Sequence, residues 1–259
     1  MSASMPGAHP VERVLRHDRW ILLGGLGVMT ALAWAYTLAG AGVDMGAKEM
    51  APVARAWTLS QAGTVLAMWW VMMVAMMVPS SAPTILLAAA LNRRSSAARL
   101  PFGSAGAFAA GYLTVWLLFS IAAVAAQWLL QWTGMLTPTM QVSGNLLTGA
   151  ILLAAGFWQL TPAKRACLRH CRSPVDFLVR RRRPGRLGAF LVGISHGGYC
   201  VGCCWILMAL LFVGGVMNPA WIVALTIYVA IEKRFLRGEQ IGEIAGVALI
   251  VAGLVSLLG

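Results

Sequence analysis

The sequence is poor in charge, and this scarcity excludes most classes of soluble protein. Charged residues make up 11% of its 259 positions, whereas hydrophobic residues make up 59% and the mean hydropathy is +0.77. A soluble domain carries about 25% charged residues. We therefore predict an all-α protein, a polytopic bundle of transmembrane helices, because helices satisfy their backbone hydrogen bonds inside a lipid bilayer.

The few charges that are present exclude several further classes of protein. None of the 8 acidic residues lies deep in an apolar run, where a proton-coupled transporter needs a carboxylate. No lysine lies in the last apolar run, so a retinal Schiff base cannot form there. No Walker loop is present, and no polar stretch is long enough for a nucleic-acid-binding domain. We predict no catalytic residues and no enzyme activity.

Seven apolar runs are candidate membrane spans, since about 20 apolar residues cross a bilayer as a helix. An N-terminus placed inside puts 18 of the 20 Lys and Arg residues on the cytoplasmic side, as the positive-inside rule requires. We predict a tail over 1–19 and one helical domain over 20–259, with the C-terminus out, in a bacterial inner membrane. The sixth run is short enough to be re-entrant. The predicted spans are 20–41, 62–91, 103–131, 144–162, 187–212, 216–232 and 241–258.

A histidine and three cysteines interrupt the fifth of these runs. On a helix the histidine and two of the cysteines follow one stripe, because they are four residues apart. The third cysteine lies beside this stripe and is counted with it, and a methionine extends the stripe by one turn. Imidazole, thiolate and thioether form a soft ligand set that suits Cu(I), and Zn(II) less well. Structural packing and redox-active thiols are the alternatives. The stripe consists of His196, Cys200, Cys203, Cys204 and Met208. Neighbouring glycines would allow either close helix approach or a local break; they are Gly193, Gly197, Gly198 and Gly202.

A methionine-rich segment lies in the second predicted span. Five of the 14 methionines fall within the ten residues from Met68 to Met77. Thioethers bind Cu(I) without deprotonation, so Met72 and Met76 are predicted to shape a path for copper exchange. Plain packing is the alternative, because methionine fills irregular gaps in cores. Pro79 and Pro83 are expected to kink this helix and to free backbone carbonyls near Met76.

The segment after the fourth predicted span carries the other two cysteines. Cys167 and Cys171 are four residues apart, so one helical turn would bring both thiols together. A docking or entry site for a metal is one interpretation, and an ordinary juxtamembrane loop is the other. The basic run Arg180 to Arg183, with Arg186, is interpreted as an anchor that contacts anionic lipid.

Three stretches of the sequence carry a family resemblance. They are Met68-Trp-x-Val-Met72-x-x-Ala-Met76-Met77-x-Pro79-Ser80, Gln159-x-Thr161-Pro162-x-Lys164-x-x-Cys167-Leu-x-x-Cys171-Arg172-x-Pro174 and Gly193-x3-Gly197-x2-Cys200-x-Gly202-Cys203-Cys204-Trp205-x-Leu207-Met208. On these residues the chain resembles the bacterial family of predicted metal-binding integral membrane proteins, which includes the membrane copper chaperone encoded beside a tyrosinase. The Cys-x-x-Cys-Cys-Trp run is the specific part of the match. The resemblance implies an inner-membrane protein that handles copper and helps to load it into a partner.

Three functions are consistent with these residues. The first is an integral membrane copper chaperone that serves a copper-requiring client enzyme or a soluble metal carrier. Its Cu(I) would be held by His196, Cys200, Cys203 and Cys204, with an exchange path along Met72, Met76 and Met208 and an entry point at Cys167 and Cys171. The second is a membrane thiol redox protein, and the third is a copper or zinc transporter. We expect the lipid bilayer, and not nucleic acid, as the other partner.

Overall fold

The structure is a computed structural model that describes residues 10–40, 57–95, 101–137, 139–181, 183, 185–235 and 237–259. Residues 1–9 of the predicted N-terminal tail lie outside the described residues. The described chain folds into helices, which confirms the all-α prediction. The helices are α1 (Pro10–Leu38), α2 (Leu59–Ser95), α3 (Pro101–Trp132), α4 (Asn145–Leu160), α5 (Pro162–Arg172), α6 (Pro174–Arg180), α7 (Gly185–Ala209), α8 (Leu211–Gly214), α9 (Pro219–Arg234) and α10 (Gly238–Leu258).

Five segments of the described chain are long and apolar enough to cross a membrane. They are Trp20–Leu38, Leu59–Leu91, Ser104–Trp132, Gly185–Gly214 and Gly238–Leu258. The predicted fourth span corresponds to α4, which has 16 residues and is followed by a bend of 65° into α5; counting this bent pair as one span gives six. The predicted sixth span corresponds to α9, which has only 16 residues. Seven spans, and their orientation, therefore stay a prediction.

Helices α3 and α7 pack together very closely because each contributes a glycine to the contact. A Cβ atom on Gly193 would overlap the carbonyl oxygen of Phe108, and one on Gly111 would overlap that of Phe190. Helix α7 continues without interruption through its glycines. These residues therefore allow close helix approach rather than a break in the helix, and the cysteine face of α7 is brought against α3.

Replacing Gly193 with alanine is expected to destabilise the protein by about 1–3 kcal/mol, because the added methyl group forces α7 away from α3. Gly198 is the matched control, since it lies on the same helix and a Cβ there would meet nothing within 4 Å. Thermal unfolding of both variants in detergent tests the expectation. A G193A variant as stable as G198A would contradict the close contact.

A second pair of glycine contacts joins α4 to α10. A Cβ on Gly156 would lie 2.7 Å from the carbonyl oxygen of Gly246, and one on Gly149 would lie 2.9 Å from that of Gly253. Helix α10 therefore packs on α4 with little side-chain material between the two backbones. Its outer face exposes apolar side chains, among them Ile244 and Val255, as a lipid-facing helix would.

Helix α2 lies at the centre of the bundle and is the most buried of the five candidate spans. Its five methionines between Met68 and Met77 are at most 1% exposed, so they face protein rather than lipid. The helix is continuous through Pro79 and Pro83. Pro83 has no N–H to donate to the carbonyl of Pro79, and the Arg234 guanidinium of α9 donates to that carbonyl at 2.6 Å.

Candidate metal centre

The predicted stripe on α7 faces the interior of the bundle. Each of its side chains is at most 2% exposed, which places soft donor atoms in a largely apolar core. They lie on a single helix of 25 residues, so their spacing along one face follows from the helical repeat. The buried residues of the stripe are His196, Cys200, Cys203, Cys204 and Met208.

Cys200 is at the centre of a group of thiols. The thiols of Cys203 and Cys204 each donate to the carbonyl oxygen of Cys200 at 3.0 Å. Cys171, on α5, packs against the core that contains these three cysteines. All of these thiols are free of disulfide bonds. We call Cys171, Cys200, Cys203 and Cys204 the thiol cluster.

Local sequence explains how α5 presents its cysteines to α7. Pro162 begins the helix, where its missing N–H is harmless, and the Thr161 hydroxyl accepts a hydrogen bond from the N–H of Lys164 at 3.2 Å. The thiol of Cys167 lies 2.9 Å from the position that a Cβ on Gly202 would occupy. The two cysteines of α5 thus pack against α7 and do not form a separate loop site.

A buried ion pair fixes α5 to α9. The ammonium group of Lys164 donates to the carboxylate of Glu232, and the two side chains are 2% and 3% exposed. Helix α10 passes close by, since a Cβ on Gly242 would lie 2.6 Å from a carboxylate oxygen of Glu232. A buried charge costs free energy, and a partner of opposite charge with good geometry offsets that cost.

Lys233 places a positive charge directly beside the thiol cluster. Its ammonium nitrogen lies 3.0 Å from the sulfur of Cys200, 3.5 Å from the hydroxyl of Ser80 and 3.7 Å from the sulfur of Met77. The neighbouring carboxylate, Glu232, is paired with Lys164 instead. The charge of Lys233 is therefore available to balance a thiolate.

Tyr112 of α3 completes this side of the cluster. Its hydroxyl group lies 3.2 Å from the sulfur of Cys200 and donates to the carbonyl oxygen of Met77 at 3.2 Å. The side chain is fully buried. Tyr112 therefore connects α2, α3 and α7 at the point where the methionine row of α2 meets the thiols.

His196 lies in an aromatic environment beside the cluster. Its ring centroid is 5.8 Å from that of Phe108, 5.7 Å from that of Tyr112 and 5.6 Å from that of Phe177. Its Nδ1 atom is buried and has no hydrogen-bond partner among the described residues. Among all the residues that the structure describes, no three His, Cys, Asp or Glu side chains are already arranged to hold a metal ion. The role of His196 as a ligand stays a prediction.

The predicted methionine positions are buried in the same core as the cysteines. Met72, Met76 and Met208 are at most 1% exposed and belong to one continuous cluster with Cys200. Met77, one residue beyond Met76, is the methionine that contacts Lys233. A copper path along these thioethers remains untested by the geometry.

Sequence reasoning missed three residues of this site. In the sequence, Glu232 closes the sixth predicted span and Lys233 is one of the 18 cations on the cytoplasmic side, yet both side chains are buried. The sequence signal for Glu232 and Lys233 is their position directly after an apolar run, because long charged side chains at the end of a helix can reach back into the bundle. Tyr112 had a weaker signal, since a tyrosine within an apolar span needs a hydrogen-bond partner. Met77 was recognised only as a member of the methionine row.

Comparisons with known proteins identify the family. Residues 66–256 match the family model PpoB2, described as a copper chaperone, and this match includes the thiol cluster, Lys233 and the methionine row. Searches of curated proteins and of solved structures gave no significant match. Because the family model covers well over half of the 259 residues, the chain belongs to the PpoB2 family of copper chaperones.

Proposed function

We propose that the protein is an integral membrane chaperone that binds Cu(I) at the thiol cluster and delivers it to a copper-requiring client. The observation that carries the proposal is the position of the Lys233 ammonium group, 3.0 Å from the sulfur of Cys200, in a core that also contains the other cysteines of α5 and α7. Thiolate sulfur is a preferred donor for Cu(I). Membership of a copper chaperone family supports copper as the cargo.

Charge balance in the apolar core favours Cu(I) over Zn(II). Cu(I) bound by two thiolates carries a single net negative charge, which Lys233 cancels. Zn(II) bound by four thiolates carries two, so one would stay uncompensated next to Lys233. An unbalanced charge in such surroundings is costly. Cys200, with either Cys203 or Cys204, is the pair that we assign to Cu(I).

The remaining predicted residues would guide the metal into and out of this pair. Cys171 belongs to the cluster, and Cys167 lies one turn earlier on α5, towards its start, where a carrier could first meet the chain. The buried methionines of α2 and Met208 extend away from the cluster as thioether donors. The unpartnered Nδ1 of His196 offers one further nitrogen donor.

The bilayer and the client complete the proposal. Five apolar helices in the described chain could cross a membrane, and the distribution of Lys and Arg favours an N-terminus in the cytoplasm. We assign the protein to the bacterial inner membrane, where a client enzyme or a soluble carrier exchanges copper with it.

The decisive experiment measures bound metal on the purified protein in detergent under reducing conditions, with Cu(I) and Zn(II) offered separately. We expect about one Cu per chain, retained on desalting and released to a Cu(I)-specific chelator, and a smaller Zn content. Retention of neither metal would contradict the proposal. In proteoliposomes the same protein should bind Cu(I) without moving it across the bilayer, and sustained flux would instead establish a transporter.

Replacing Lys233 with methionine is expected to weaken Cu(I) binding about ten- to hundredfold, because an ionic contact to the Cys200 sulfur is worth about 1.5–3 kcal/mol. Methionine has a similar length and no charge, so packing beside Met77 is kept. The R237Q variant is the control, since Arg237 is a nearby cation in the sequence and its side chain is exposed. Competition with a Cu(I) chelator gives the affinities. Equal affinities for K233M and R237Q would show that Lys233 does not balance the bound metal.

A further inference from the structure

A basic cavity opens between α5 and α6. Its volume is about 280 Å³, which is enough for a phosphate group with a small polar substituent. Three arginines and one acidic residue line the cavity. Its walls include Arg169, His170, Asp176, Phe177, Arg180 and Arg181.

The charge of this cavity is positive. Arg169 approaches Glu239 at 3.7 Å, but the Arg169 side chain is 70% exposed, and an exposed ion pair of this kind is weak. Among the described residues that line the cavity, Asp176 is the only acidic one. A negatively charged ligand is therefore attracted, and arginine suits the oxygens of a phosphate group because it donates several N–H bonds in one plane.

Part of the cavity wall is held in place before any ligand binds. The guanidinium group of Arg181 donates to the hydroxyl of Ser195 at 2.7 Å and to that of Tyr199 at 2.8 Å. The ring of His170 stacks on that of Tyr199 with centroids 4.0 Å apart and an interplanar angle of 3°. These contacts tie both α6 and α5 to α7, so the cavity has a defined shape.

The surface around the cavity is apolar as well as basic. Val175 and Val179, one turn apart on α6, are 56% and 60% exposed, and Leu187 at the start of α7 is 72% exposed. A short helix with exposed valines beside arginines fits the boundary between acyl chains and headgroups. This combination distinguishes a lipid from a soluble anion as the ligand.

We infer that this cavity binds the headgroup of an anionic phospholipid, with the phosphate on Arg169 and Arg180 and the acyl chains along the valine face of α6. The inference rests on the membrane location in the proposed function. Asp176 can accept a hydrogen bond from a headgroup hydroxyl, which suits a glycerol headgroup. Basic cavities at the cytoplasmic ends of membrane helices are a common setting for such lipids.

The cavity is connected to the thiol cluster through adjacent residues. His170 directly precedes Cys171, and Tyr199 directly precedes Cys200. A bound headgroup holds the His170–Tyr199 stack together and thereby holds Cys171 against α7. Occupancy of the cavity is therefore expected to raise the Cu(I) affinity several-fold without contributing a ligand to the metal.

The test uses the full chain in an uncharged detergent and counts bound lipid by native mass spectrometry. Phosphatidylglycerol, phosphatidylcholine and inorganic phosphate are offered separately. The variant R169Q/R180Q removes two arginines of the cavity and keeps Arg181 with its hydrogen bonds. The variant R183Q/R186Q removes two exposed arginines that lie outside the cavity and serves as the control. Thermal unfolding checks that both variants are folded, and the single R180Q variant keeps the Arg169–Glu239 pair intact.

We expect phosphatidylglycerol to bind in preference to phosphatidylcholine and to lose about tenfold or more in affinity in R169Q/R180Q, with little change in R183Q/R186Q. Equal loss in both double variants, or no preference between the lipids, would overturn the site. Arginine-dependent binding of inorganic phosphate, without a preference for phosphatidylglycerol, would assign the cavity to a soluble anion and overturn the lipid. Cu(I) titrations run in parallel separate the two proposals, because a protein that selects the lipid but binds no copper contradicts only the proposed function.

Discussion

Cu(I) binding is expected to fall more than about a hundredfold when Cys200 is replaced with serine. Loss of a residue that only supports a metal ligand costs about 10- to 100-fold in affinity, and Cys200 is a proposed ligand whose sulfur lies 3.0 Å from the ammonium group of Lys233. Serine keeps the size of the side chain and leaves the carbonyl that accepts the Cys203 and Cys204 thiols unchanged. The fold should therefore persist while the soft donor is lost.

Two further cysteine variants serve as the control and as a second test of the proposed site. C167S is the control, because Cys167 lies against Gly202 at the edge of the site and its loss should change the affinity by less than about tenfold. The double variant C203S/C204S should lose stoichiometric binding, as C200S does. Chelator competition gives the affinities and elemental analysis gives the stoichiometry. Full retention of copper by C200S would place the metal elsewhere. A thiol count that changes reversibly with reductant, without metal, would favour the redox alternative.

Replacing Glu232 with glutamine is expected to destabilise the protein by about 3–5 kcal/mol, the cost of removing one partner from a buried ion pair. Glutamine has the same shape, so it fits beside Gly242, but it leaves the ammonium group of Lys164 uncompensated in the core. The expected result is a lower unfolding temperature in detergent. Cu(I) affinity should fall as well, because Lys164 holds α5, and with it Cys171, against the bundle.

An exposed ion pair that joins the same helix α5 to α10 provides the comparison. Arg165 and Glu243 approach at 3.4 Å, and their side chains are 39% and 47% exposed. Replacing Glu243 with glutamine should change stability by only about 0–1 kcal/mol. The double variant K164M/E232L should recover much of the stability lost in E232Q, because it removes both charges from the core. Equal effects of E232Q and E243Q would show that burial of the Lys164–Glu232 pair is unimportant.

The sequence alone predicted which residues share a face of the same helix. The spacing of His196, Cys200 and Cys204 determined that they share a face of α7, because the helical repeat converts spacing into direction. The same reasoning put Cys167 and Cys171 on one side of α5. The low charge content predicted a helical bundle, and the proportion of soft donors predicted a copper-handling function, which the family match supports.

Contacts between distant parts of the chain needed the tertiary structure. Lys233 is 33 residues from Cys200, and Tyr112 is 88 residues from it, so no local spacing could bring these groups together. Sequence reasoning likewise separated Cys171 from the α7 thiols, because a loop position does not reveal which helix it will meet. The glycines of α7 were compatible with either a break or close packing, and only the approach of α3 decided between them.

The chain order therefore determines which donors are available and which face of each helix carries them. The packing of the helices decides which faces meet: it places a lysine and a tyrosine against the sulfur of Cys200 and packs Cys171 against the same core. The physical reason is the distance over which each interaction acts. Hydrogen bonds within a helix join residues four apart and so fix the direction of each side chain around the helix axis, whereas contact between two helix faces depends on close packing across the whole bundle.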